Sequence, residues 1–220
     1  EDWGGGIELA KQYPENIYFA FGLHCEEAAG TGGIKLKIEA LENKINQLDP
    51  DFIKAIGETG LDYFYAKTPE AKQNQQELFL SQIELAKKYQ KPLIIHCREA
   101  YEEIYQILKA EKINNFVMHF FVGTKNQAEK FLELGGYISF SSVVALADDY
   151  DKVIEFVPED RILIETDSPF IRSNTPLDVF KVAEKIARVK KISYDEIVKT
   201  TYENAKRFFQ PNALNKPNLD

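Results

Sequence analysis

The sequence has 220 residues, enough for one α/β domain with a sizeable core or at most two small domains. Hydrophobic residues make up 44% and charged residues 28%, which sets aside disorder and fibrous folds, and no apolar run reaches the roughly 18 residues of a membrane span. A net charge of −8 disfavours a basic nucleic-acid coat while leaving room for a local metal-lined groove, and two cysteines make no disulfide framework.

Six short apolar runs read as strands: residues 17–21, 53–56, 93–95, 116–118, 137–140 and 162–164. Their apolar character is nearly continuous rather than alternating, the pattern of parallel strands covered on both faces. Helical segments lie between them. The clearest covers residues 69–89, with Thr68 as N-cap, Pro69 in the first turn, and Leu78, Phe79, Gln82, Ile83, Leu85, Ala86 and Tyr89 forming a stripe. Residues 99–109, 125–134, 149–156, 177–189 and 194–209 repeat the idea, and Gly135-Gly136 ends the second of these. The order is β-α throughout, which predicts a parallel α/β fold, either a barrel or a doubly wound sheet. One domain over residues 1–210 is expected, with a loose tail over 211–220.

The three histidines are the central observation. His24 follows the first strand, His96 ends the third and His119 ends the fourth; Glu58 and Asp167 hold the corresponding places after the second and sixth. In a parallel barrel all strand carboxyl ends open onto one face, where active sites are built. Two imidazoles and two carboxylates meeting there suit a divalent metal, which lowers the pKa of bound water, while a spare carboxylate takes the proton. Blander readings stand beside this one. Glu58 in Gly57-Glu58-Thr59-Gly60 serves equally as a turn residue, and Asp167 before Ser168-Pro169 as a helix N-cap or Asx-turn. Cys25 and Cys97 read as small buried fillers rather than ligands.

The motifs resemble those of the TatD-like metal-dependent deoxyribonucleases of the amidohydrolase superfamily. Gly57-Glu58-Thr59-Gly60-Leu61-Asp62-Tyr63, Pro92 through His96-Cys97-Arg98-Glu99-Ala100, Glu165-Thr166-Asp167-Ser168-Pro169-Phe170, Gly22-Leu23-His24 and Asn204-Ala205 through Phe209 follow that family's segments in order. The resemblance implies a (β/α)8 TIM-type barrel of the metal-dependent hydrolase kind and hydrolysis of phosphodiester bonds in DNA. The implied cofactors are divalent ions (magnesium, manganese or zinc), two in the complete family site and as few as one here. By match of motif, Glu58 bridges two metals, His96 and His119 complete one site, and Asp167 serves the other and positions or deprotonates the attacking water. His24 lies by the substrate phosphate, and Asn174 belongs to the loop lining the substrate cleft. Arg98 either contacts a phosphate or pairs with Glu99 or Glu102.

The departures matter. The family opens on a His-x-His strand whose histidines bind the metal paired with Asp167, and this sequence has no His-x-His. It shows six strands rather than eight and starts at Glu1 without a methionine, so the expectation is that the first one or two strands are missing, through a shortened gene or a partial chain rather than a natural six-stranded variant. Weak or no nuclease activity is then expected of these 220 residues alone. Alternatives are a non-catalytic remnant that binds a metal or a partner, an esterase acting on D-aminoacyl-tRNA, or a relative acting on phosphotriesters or lactones. The expected partner is DNA, with no membrane, and exposed strand edges invite homo-oligomers. A reducing cytoplasm is the expected compartment.

Overall fold

Parallel strands form wherever the sequence runs apolar without alternation, and helices return the chain between them. The computed structural model describes residues 3–14, 16–29, 33–49, 52–171 and 174–209. It divides into two compact units, Glu1–Ala100 and Tyr101–Asp220. The tail expected over 211–220 lies outside the described residues. No described helix is long and apolar enough to cross a membrane.

The first unit runs α1 (Gly4–Gln12), β1 (Phe19–Phe21), a 3-10 turn (Cys25–Ala29), α2 (Gly33–Asn46), β2 (Ile53–Asp62), α3 (Pro69–Tyr89) and β3 (Leu93–Arg98). β2 is central and parallel to both neighbours: Phe21 faces Ile56 of β2, while Gly60 and Asp62 face His96 and Arg98 of β3. Three steps along β2 from Ile56 to Thr59 match two along β3 from Leu93 to Ile95, so β2 carries one extra residue around Gly57-Glu58. Phe21, Leu41, Ile53, Ile56, Leu61, Leu78 and Phe79 fill the core. α3 has the expected bounds; Thr68 Oγ1 accepts from Ala71 N at 3.2 Å, and Gln90 closes the helix in the left-handed region at φ 53°.

The structure lengthens β2 past the predicted end at residue 56. The run Gly57-Glu58-Thr59-Gly60 reads as a turn in isolation, but β3 supplies a parallel partner as far as Asp62. It also adds α1 and α2, which the sequence reading did not predict. In α2 the apolar residues Ile34, Ile38, Leu41 and Ile45 fall at helical spacing, a signal the sequence reading passed over, and only Leu41 and Ile45 of them are buried.

The second unit runs α4 (Tyr101–Ala110), β4 (Phe116–Met118), α5 (Lys125–Glu133), β5 (Tyr137–Phe140), a 3-10 turn (Ser142–Leu146), α6 (Asp151–Phe156), a 3-10 turn (Glu159–Arg161), β6 (Ile162–Ile164), a 3-10 turn (Pro176–Asp178), α7 (Val179–Lys190) and α8 (Tyr194–Phe209). β5 is central, parallel to β4 and β6, with Met118 facing Ile138 and Phe140 facing Ile164. Every residue of β4 and β5 is buried, as their unbroken apolar character requires. Thr124 and Gln127 form a reciprocal capping box at α5. Asn204 of α8 donates to the carbonyls of Glu159 and Ile162, tying the last helix to the start of β6.

Candidate metal centre

In the first unit the site grows out of one register. Gly60 of β2 lies opposite His96 of β3, so Glu58 and Asp62, two residues to either side, share Gly60's face and straddle the imidazole. Gly60 has φ 139°, and a Cβ there would sit 2.0 Å from the His96 carbonyl oxygen; only glycine lets the strands approach this closely. His96 Nδ1 is 3.0 Å from Glu58 Oε1, and Nε2 is 3.2 Å from Asp62 Oδ2. Asp62 is buried and further fixed: its N–H donates to Gln75 Oε1 at 2.8 Å, and its Oδ1 accepts from Tyr65 N at 3.2 Å.

His24 arrives from the loop after β1. Its ring stands edge-on to that of His96, with centroids 4.7 Å apart. The loop is held by the buried Gln82 of α3, whose amide accepts from Leu23 N at 2.7 Å and donates to Leu23 O and Thr59 Oγ1. Cys25 Sγ is 3.6 Å from His24 Nε2, and one ligand atom each from His24, Cys25 and His96 lies within 4.8 Å of the others. Burial first, then the charges of Asp62, Glu58 and Glu26, push the Cys25 thiol far up, so it is protonated in the metal-free protein.

The second unit repeats the motif. His119 follows β4 directly, with Nδ1 hydrogen-bonded to Glu165 Oε2 and Nε2 3.6 Å from Asp167 Oδ1. Glu165 and Asp167 follow β6 two residues apart. Glu165 Oε1 accepts from Phe120 N at 2.7 Å, while the Glu165 N–H donates to Phe140 O and extends the ladder. Phe120 and Asp167 occupy the left-handed region, at φ 48° and 55°. Such non-glycine conformations cost roughly 1–3 kcal/mol each and cluster at functional sites.

Each unit thus holds one imidazole between two carboxylates. A neutral imidazole has one N–H and one lone pair, so it cannot satisfy both carboxylates at once. It needs either a second proton or a cation beside the lone pair. At His96 burial opposes the imidazolium, but Glu58 and then Asp62 outweigh it and hold the pKa above the ordinary value. The same donor set, nitrogen and carboxylate oxygen together, fits a divalent ion of the zinc, manganese or magnesium kind.

Of the residues expected from sequence, the structure brings Glu58, His96 and His24 together in the first unit, and His119 and Asp167 in the second. Glu99 pairs with Lys67 and Glu102 with Lys130, while the Arg98 guanidinium lies over the Phe64 ring at 3.7 Å. Asn174 donates through Nδ2 to Ser142 Oγ and to the Thr166 carbonyl, fastening the loop after β6. Arg172 and Ser173 in that loop lie outside the described residues. Asp62 and Glu165 stand in the quoted motifs without an assigned role, and Gln82 in the helical stripe. Even spacing from Glu58 and Asp167 was a signal for the two carboxylates once the chain there is known to be extended. Gln82 carried no such signal, because it falls within an apolar helical stripe.

Comparison with known proteins agrees with this chemistry. The TatD related DNase family matches residues 1–210. The chain is 39% identical over 172 residues to Escherichia coli YcfH, covering 73% of this chain and 64% of that protein, so the match spans less than two thirds of YcfH. It is 38% identical over 219 residues to Bacillus subtilis YabD, covering 94% and 82%. Both carry the name uncharacterized metal-dependent hydrolase. Among solved structures, the TatD homologue YjjV of Escherichia coli K12 superposes with a TM-score of 0.85 at 28% identity, over 94% of this chain and 82% of that one. The parallel βα units are therefore of the TIM-type barrel class expected from the motifs. With the family match running nearly the length of the sequence, the chain belongs to the TatD-related DNase family of metal-dependent hydrolases.

Proposed function

We propose that the protein is a divalent-metal-dependent hydrolase that cleaves phosphodiester bonds in DNA. The observation that carries the reading is the repeated carboxylate–imidazole–carboxylate arrangement, Glu58–His96–Asp62 and Glu165–His119–Asp167, at the carboxyl ends of parallel strands. Glu58 and His96 would hold a cation in the first unit, and His119 and Asp167 one in the second. A bound divalent ion supplies a water that ionises near neutral pH and neutralises phosphate charge.

The chain's own groups do the rest. Asp62 and Glu165, each hydrogen-bonded by a backbone N–H, hold the far nitrogens of the two imidazoles and fix their orientation. Asp167 Oδ1 accepts the proton of the attacking water, and its left-handed backbone keeps the carboxylate facing His119. His24, half-buried beside His96, donates a hydrogen bond to the substrate phosphate. Arg98, lying flat on Phe64, presents the edge of its guanidinium to a phosphate further along the strand.

The test is hydrolysis of a fluorescent single-stranded oligodeoxynucleotide by the full chain in added magnesium or manganese, with bound metal measured on the same sample. The sequence lacks the family's His-x-His, so slow turnover is expected and incubation must be long. Cleavage that requires the ion, stops with chelator and falls at least about 100-fold in Glu58→Gln supports the reading. Metal uptake with no cleavage above background in either ion overturns it.

A further inference from the structure

A cavity of 380 Å³ lies wholly within the first unit, between the 3-10 turn Cys25–Ala29 and the amino end of α3. That volume is at the small end of ligand pockets, which run from roughly 300 to 1,000 Å³. Its wall includes Tyr65, Ala66, Ala71, Glu26, Asn74 and Gln75. Two of these connect it to the metal-binding residues. Glu26 Oε2 is 3.8 Å from His24 Nδ1, and the Tyr65 N–H donates to Asp62, which in turn contacts His96. The cavity therefore begins about one side chain from His96 and its carboxylate partner Asp62.

Its chemistry is selective. A carboxylate in the wall disfavours a phosphate inside. Alanine methyls and a tyrosine ring offer an apolar face, while Asn74 brings an amide to the wall; the Gln75 amide oxygen is committed to Asp62 N. The Tyr65 ring is 60% exposed and edge-on to Phe64, with centroids 5.0 Å apart; Arg98 and Lys67 lie over the Phe64 ring at 3.7 and 5.1 Å. This is an aromatic surface with positive charge beside it, next to a pocket that itself carries a hydrogen-bond-accepting carboxylate. Such a combination takes a flat heteroaromatic ring with N–H donors on its edge and leaves the attached phosphate outside.

We propose that this cavity is a nucleobase subsite: Tyr65 stacks on the base of a nucleotide adjoining the scissile phosphate, and Glu26 accepts a hydrogen bond from the exocyclic amine of cytosine, adenine or guanine. The assignment deepens the nuclease reading and rests on it, but it is tested by binding alone.

The experiment uses the full chain and two dinucleotides with a non-bridging thiophosphate linkage, one carrying cytosine and one carrying an abasic deoxyribose at the same position. Affinity is measured by calorimetry against wild type, Tyr65→Ala and Ala71→Leu. Removing the base weakens binding to wild type about tenfold, the scale of one base–aromatic stack, and weakens binding to Tyr65→Ala less than threefold. Ala71→Leu, which fills the cavity and leaves the ring in place, likewise removes the preference for the base. Replacing cytosine by thymine costs wild type affinity, and Glu26→Gln abolishes that difference. Equal affinity of wild type for the cytosine and abasic compounds, or no binding of either at millimolar concentration, overturns the subsite. Base-dependent binding together with no cleavage of DNA in the metal assay would overturn the nuclease reading and leave the subsite standing.

Discussion

Gln82 lies on the buried face of α3 among leucines and isoleucines, yet its one amide makes three hydrogen bonds, two to the backbone of Leu23 and one to Thr59 Oγ1. It joins the loop that presents His24 to the strand that presents Glu58. A leucine of similar size would keep the packing and lose all three bonds, leaving the Leu23 N–H and C=O and the Thr59 hydroxyl unpaired in the interior. Unpaired buried groups cost roughly 1–3 kcal/mol each, and local relaxation recovers part of that. Gln82→Leu should therefore destabilise the protein by about 2–3 kcal/mol in urea melts. It should also loosen the loop that presents His24 to the substrate phosphate, read as a rise in KM for the oligodeoxynucleotide. Gln82→Glu discriminates the cause: a carboxylate still accepts from Leu23 N but cannot donate, so the loss should be partial. A Gln82→Leu protein as stable as wild type would show that the loop is held by other contacts.

Among the elements, α7 is tied down by a buried lysine. Lys185 is 4% exposed, and its ammonium reaches Asp148 at 2.6 Å and Asp151 at 2.5 Å, just before and at the start of α6. Burial alone would lower the Lys185 pKa, but the hydrogen bonds and charges of the two aspartates outweigh it and raise the value. In return Lys185, first by hydrogen bond and then by charge, holds Asp148 below the usual carboxylate range. A lowered folded pKa means that this contribution is present above the ordinary Asp pKa near 3.8 and is lost as pH falls through the lower folded value. Lys185→Met keeps the apolar stem and leaves Asp148 well exposed, but it takes the ammonium away from the buried Oδ1 of Asp151. It should lose roughly 1–3 kcal/mol of stability at pH 7, the range for a buried polar group left without its partner. Its urea midpoint should also fall less than the wild-type midpoint between pH 5 and pH 3; equal falls would sink the assignment.

The elements also show what the sequence made legible. β4, β5 and β6 form at the expected residues because buried parallel strands are continuous apolar runs. α3 carries its own cap and stripe, so its bounds needed no tertiary information. β2 was cut short because glycine and threonine carry no strand signal of their own; only the pairing with β3 makes residues 57–62 extended. That one misreading hid Asp62, since a turn places Glu58 and Asp62 independently while a strand puts them on the same face. The histidines were legible because each falls at or near a strand's carboxyl end. Their carboxylate partners depend on register, and register belongs to pairs of strands rather than to one stretch of sequence.

For the molecule as a whole, the acidic surplus has a local expression. Glu58 and Asp62 crowd one imidazole and Glu165 and Asp167 the other, so four carboxylates share two histidines. Without a cation, each cluster places like charges within one ring's width, a cost carried by the folded state and not by the extended chain. A divalent ion bound only by the folded protein removes that cost and adds stability by mass action, about 2.7 kcal/mol when the free ion is at 100 times its dissociation constant. For a chain of this size each kcal/mol raises Tm by roughly 2–4 °C, so saturating manganese should raise Tm by about 5–10 °C over the chelated protein. The variants separate the two clusters. Glu58→Gln should lose the part of the shift that belongs to the first unit, Asp167→Asn the part that belongs to the second, and the double variant nearly all of it. A Tm indifferent to manganese in the wild type would mean that the clusters are not metal sites.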